Sequence, residues 1–269
     1  MKQRCGGFFL TVLLLGAGAW AANSGPGPAE MRYKTSYTTI RKLGLDLYRG
    51  LKPKQREAIS AEPVSVETDV TPSIKLAELT DDNRKLGFVF VSVGFIDLMN
   101  NVAHAKAIDL IERGYFKKYL QSLAQESGEK ELRELPNLSN PKYWTDKVLN
   151  EQKSNFNQMV GTAVAIKLAD YYLGHYKKYA PKLEDTKGKP VPINELLEPG
   201  EWEEAVRAGV ANALEAGLGI EGTKALFDAI DEMPQRPSWT LYFLPANAKV
   251  KAIKKEMEKL EKKAFSGDL

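Results

Sequence analysis

From about Thr145 to Lys178 the chain reads as helix almost throughout, and its middle is apolar on more than one side. Phe156, Met159, Val160, Ala163, Val164, Ile166 and Leu168 overrun the single stripe that a surface helix presents to a core. A helix of this kind is buried on most sides, so other elements must be arranged around it. That requirement fits a mainly helical domain.

The flanking patterns supply those elements. Tyr33 to Gly50 has Ile40, Leu43, Leu47 and Tyr48 spaced for one helical face. Val64 to Thr68 alternates like a strand, bounded by Pro63 and Pro72. Leu86 to Val93 is dense in β-branched and aromatic residues and is closed by Gly94. Helices are expected over Ile96–Glu112, Tyr115–Gln125, Glu201–Ala216 and Glu221–Met233, with Gly114, Gly217 and Gly219 as stop signals. Residues from Gly128 to Pro141 and from Asp185 to Pro192 read as connectors. Trp239 to Pro245 reads as a clasp over the core. Ala246 to Phe265 is a Lys/Glu-rich amphipathic helix with Val250, Ile253, Met257 and Leu260 on one face. There is no internal repeat. The expected fold class is mainly α (α+β), a helical domain with a small β-sheet.

The first residues predict a targeting device. Lys2 and Arg4 precede an apolar run from Phe8 to Leu15, and Ala19-Trp20-Ala21 offers a small-x-small cleavage site. The organisation expected is therefore a signal peptide at 1–22, a Gly/Ser/Pro linker at 23–30 and one domain at 31–269, with an uncleaved N-terminal anchor as the alternative to cleavage near Ala21 or Ala22. Cleavage removes Cys5, the only cysteine, which leaves no thiol nucleophile, disulfide or Cys-ligated metal. Its loss of Lys2 and Arg4 also lowers the formal charge from +3 to +1, so there is no basic footprint for nucleic acid. About 245 residues then remain, with no further run of membrane-spanning length. The localisation implied is exported, periplasmic or extracellular.

Two histidines bear on chemistry. His175 follows Tyr171 and Tyr172 in the long helical pattern, and Tyr172, His175, Tyr176 and Tyr179 would form a polar-aromatic stripe on a continuous helix. Such a stripe suits a groove for a protein or peptide partner or a glycan, because tyrosine combines large contact area with a hydroxyl. The alternative is that it packs against a loop with its hydroxyls half exposed. His104 lies on a second helix, in line with Asp97 and Asn101. His175, His104 and either Asp170 or Glu215 could together make a nonstandard His/carboxylate zinc site, against the plainer reading of two hydrogen-bonded helix histidines and no cofactor. Ser92 does not stand in a G-x-S-x-G elbow, and Gly217 to Gly222 follows a helix instead of the strand that a nucleotide fingerprint needs.

A glycine-ended strand, Gly87-Phe-Val-Phe-Val-Ser-Val-Gly94, precedes a helix ending Tyr171-Tyr172-Leu173-Gly174-His175, and a later helix carries Ala213-Leu214-Glu215-Ala216-Gly217. This order resembles the zinc metallopeptidase family that includes the CAAX prenyl proteases and bacterial periplasmic proteases. The resemblance implies a gluzincin-like fold with His175 as one zinc ligand. It also implies Tyr171 and Tyr172 at the positions of the first histidine and the catalytic glutamate, and Ala213 at the third ligand. A phenol with a pKa near 10 is a poor ligand and a poor base. The function expected is thus a metallopeptidase-like, non-catalytic binding protein of the cell envelope. A metal-dependent hydrolase and a structural helical interaction domain are the alternatives.

Overall fold

The computed structural model describes residues 34–124, 134–184 and 191–269. The expected signal peptide, linker and most of the 185–192 connector lie outside these residues, as does part of the 128–141 connector. The described chain is mainly helical, with nine α-helices and one three-stranded mixed sheet.

Helix α1 (Lys34–Gly50) and the single turn α2 (Pro53–Arg56) lead into β1 (Ile59–Glu67). Strands β2 (Ile74–Asp81) and β3 (Arg84–Ser92) form a hairpin, and the sheet order is β1-β3-β2 with β1 parallel to β3. Strand β2 is absent from the sequence reading. Its run from Ile74 to Thr80 alternates only over its first three residues, so its main signal is the two-residue turn that follows. Asp82 and Asn83 adopt φ of 44° and 64°, the left-handed pair that matches the twist of a tight hairpin. Strand β1 starts five residues before the expected Val64 and accommodates Pro63 through an irregular register between Ile59 and Val64.

Helix α3 (Val93–Ile108) begins directly at the end of β3, earlier than the expected Ile96. Ser92 makes that junction. Its Oγ accepts from the Phe95 amide at 3.0 Å and the Ser73 amide at 2.8 Å, and donates to the Thr71 carbonyl at 2.8 Å. The hydroxyl is a cap and a loop tie. Helix α4 (Tyr115–Ala124) follows.

The central helix α5 (Asp146–Tyr172) has 27 residues. Every residue from Met159 to Asp170 is buried, as the apolar pattern requires. It packs against α1, α3, the sheet, α7 (Pro199–Glu215) and α8 (Glu221–Asp231). It does not run on to Lys178. Gly174 takes φ of +88°, a left-handed conformation that costs glycine little, and the chain restarts as the five-residue α6 (His175–Tyr179). Short 3₁₀ turns at Ile193–Glu195 and Ser238–Tyr242 fold over the core, and Trp239, Phe243 and Leu244 of the expected clasp are buried. Helix α9 (Val250–Ser266) places Val250, Ile253 and Met257 against α7 and α8, so the tail covers its own domain. Among the described residues no helix is long and apolar enough to cross a membrane.

Candidate functional site

The break after α5 holds a buried ionic cluster. Lys167 and Asp170 stand one helical turn apart, at 1% and 0% exposure, and His175 follows at 6%. Lys167 Nζ donates to Asp170 Oδ2 at 3.3 Å and to Asn194 Oδ1 at 2.6 Å. His175 Nδ1–H donates to Asp170 Oδ1 at 3.0 Å. The turn at Gly174 is what swings the imidazole back onto a carboxylate five residues earlier. On the other side of the ring, Nε2 lies 4.0 Å from Glu204 Oε2 on α7.

These contacts set the protonation balance. The hydrogen bond to Asp170 raises the His175 pKa above its ordinary value; burial opposes it, and the charges of Asp170, Glu201 and Glu204 reinforce it. Burial pushes the Lys167 ammonium down, and the Asp170 carboxylate works against that loss. At α7, burial pushes Glu201 up, but hydrogen bonds from Lys178, Tyr179 and the Glu198 amide outweigh it and bring the carboxyl to about 2. Lys178 Nζ and Tyr179 Oη meet Glu201 at 2.7 and 2.8 Å, which clamps α6 to α7.

The helix break also revises the expected tyrosine stripe. Tyr172 belongs to α5, and its hydroxyl is buried without a hydrogen-bond partner among the described residues. It therefore offers no handle to a groove. Tyr179 is buried with its hydroxyl on Glu201. Tyr176 pairs instead with Tyr171, ring centroids 5.4 Å apart and planes inclined by 32°. Tyr171 lies flat over Gly87 of β3, where an added Cβ would come within 2.2 Å of the ring, and its hydroxyl donates to Glu78 on β2 at 2.8 Å. Both rings are half-exposed. Lys85 Nζ sits 2.7 Å from Glu78, and the bond holds that carboxyl below its ordinary range. The polar-aromatic surface thus exists, built from Tyr171 and Tyr176 rather than from the four residues read off a continuous helix.

Of the expected metal set, the structure brings Asp170 to His175 but leaves His104 and Glu215 away from them. His104 is fully buried on α3, where its Nε2–H donates to the Tyr143 carbonyl at 2.8 Å and its ring meets Trp144 edge-on at 4.8 Å. Tyr143 and Trp144 precede α5, whereas His175 follows it. The two histidines therefore sit at opposite ends of a helix about 40 Å long. Glu215, at the far end of α7, lies eleven residues beyond Glu204, roughly 16 Å along the axis. Nor does the His175 cluster fit zinc. Asp170 holds Nδ1, and Glu204 is the one carboxylate facing Nε2, the nitrogen a metal would take, which falls short of the three or four protein ligands of a zinc site. Among the described residues no group of three His, Cys, Asp or Glu side chains could hold a metal ion.

Lys167, Asn194 and Glu78 escape the sequence reading. Lys167 looks like a solvent-facing helix residue, and only the unbroken apolar run around it hints otherwise. Comparison with protein-family models, curated proteins and solved structures gives no match for this chain.

Proposed function

We propose that the protein is an exported, non-catalytic binding protein of the cell envelope that engages a protein or peptide partner beside Tyr171 and Tyr176. In this reading the metallopeptidase-like order of strand and helices serves as architecture without the family's chemistry. The observation that carries it is the double use of Asp170. One buried carboxylate accepts from both Lys167 and His175, so the imidazole acts as an internal strut. That strut fixes the turn at Gly174, and the turn brings Tyr176 back onto Tyr171. The resulting surface offers half-exposed tyrosine area, which recognition patches favour, beside charged side chains of the kind found at their polar rims.

The test is a photo-crosslinking amino acid at position 176 in cells that make the protein. A discrete adduct in envelope fractions is expected, and it should disappear in a Tyr171→Ala background. Uniform absence of adducts removes the binding reading. Stoichiometric zinc in the purified chain, lost on His175→Ala, favours the metal-dependent hydrolase instead.

A further inference from the structure

The sheet has two edges, and they are treated differently. The β1 edge carries Pro63 and an irregular register, and α1 packs against it. These are the devices that keep an edge strand from pairing with another chain. Strand β2, which α5 reaches through Tyr171, lacks the first two. It contains no proline, and its eight residues pair in unbroken register with β3.

The hydrogen-bond phase of β2 follows from one contact at its start. The Ser92 amide donates to the Ser73 carbonyl at 3.0 Å, so residues 73 and 92 face each other as a hydrogen-bonded pair. In an antiparallel ladder such pairs alternate, which assigns the next ones to Lys75–Phe90, Ala77–Phe88 and Leu79–Leu86. The amides and carbonyls of Leu76, Glu78 and Thr80 then point away from β3. Among the described residues no backbone hydrogen bond from another segment reaches them.

The charges near this edge are largely neutralised inside the sheet. Lys75 is paired with Glu67 at 2.8 Å and Glu78 with Lys85 at 2.7 Å, so neither repels an incoming strand. Beside Glu78 stand Tyr171 and Tyr176, with exposed Lys177 near enough to act on the Glu78 carboxyl. Lys85 and Lys177 against Glu78 leave one positive charge in excess. A complementary strand would carry a carboxylate there.

We propose that the free edge of β2 binds an extended peptide segment of a partner protein as a fourth strand, with an acidic side chain of that segment facing Lys177 and its neighbours bordering the Tyr171–Tyr176 pair. Main-chain hydrogen bonds at Leu76, Glu78 and Thr80 supply the attachment, and the aromatic and charged side chains supply the preference. This rests on the reading of Tyr171 and Tyr176 as a recognition surface and names the form of the partner.

The probe is a displayed library of octapeptides alternating apolar with variable positions and carrying one Asp or Glu, selected against the full chain. An enriched peptide is then examined by residue-resolved amide exchange. In the free protein the Leu76, Glu78 and Thr80 amides should exchange fast while those of Lys75, Ala77 and Leu79 are slow. Bound peptide should slow the first set at least tenfold and leave the second unchanged. N-methylation of alternate peptide amides should weaken binding at least tenfold in one phase and little in the other, and Lys177→Glu should select against the acidic residue. The proposal is overturned if no peptide is enriched, if the outward amides are already protected in the free chain, or if binding leaves them unprotected. A position-176 adduct obtained alongside any of those results keeps the binding surface and discards the fourth strand.

Discussion

The two ends of the central helix α5 each hold a buried histidine, and the two are held by different physics. At the N-terminal end, His104 donates to a backbone carbonyl and packs edge-on against Trp144. At the C-terminal end, His175 belongs to a cluster with a buried carboxylate and a buried ammonium. A hydrogen bond to a carbonyl contributes modestly and survives substitution with a limited loss. A buried ion cluster is stable only while its charges balance, so removing one member strands the others.

The largest effect should therefore come from Asp170. Asp170→Ala leaves the Lys167 ammonium buried without its counter-charge and should destabilise the fold by about 3–5 kcal/mol. Denaturant unfolding measures it, and the double variant Lys167→Met/Asp170→Leu should recover much of the loss. A double variant no better than the single one would show that the cluster is not an electrostatic unit.

His104→Leu keeps a core volume but orphans the Tyr143 carbonyl, with an expected cost of about 1–3 kcal/mol. If it costs as much as Asp170→Ala under the same conditions, the contrast between the two ends fails. Gly174→Ala should cost about 1–2 kcal/mol, because an L-residue with a Cβ is strained in the left-handed region. It should also separate Tyr176 from Tyr171, which shows as increased quenching of tyrosine fluorescence by iodide.

The smallest effect is a pH slope. The His175 pKa is raised on folding, so its contribution is fully present below about pH 6.5, the ordinary imidazole value, and is lost as pH rises through the folded value. The unfolding midpoint should fall as pH rises above about 6.5, and His175→Gln should flatten that fall. An unchanged slope in the variant would place the titrating group elsewhere.

Much of the fold is legible along the chain because helix burial is a local pattern. The run from Phe156 to Leu168 announces the central helix, and Val250, Ile253 and Met257 announce how the tail helix packs. Gly174 is visible too, but its effect is not. A glycine inside a helical pattern signals nothing certain until its φ is known, and here it splits the tyrosine stripe in two. The candidate site was legible only in part. His175, Tyr176 and their neighbourhood stood out, while Tyr171 replaced Tyr172 once the helix turned.

What the sequence determined by itself was which segments form helices and which helix must be buried, because apolar periodicity is written within a few residues. Only the tertiary structure decided which charges are buried and which strand edge is bare. Lys167 finds Asn194 across 27 positions, and Tyr171 finds Glu78 across 93. Electrostatic partners and sheet edges depend on elements remote in sequence, and no local pattern encodes that meeting.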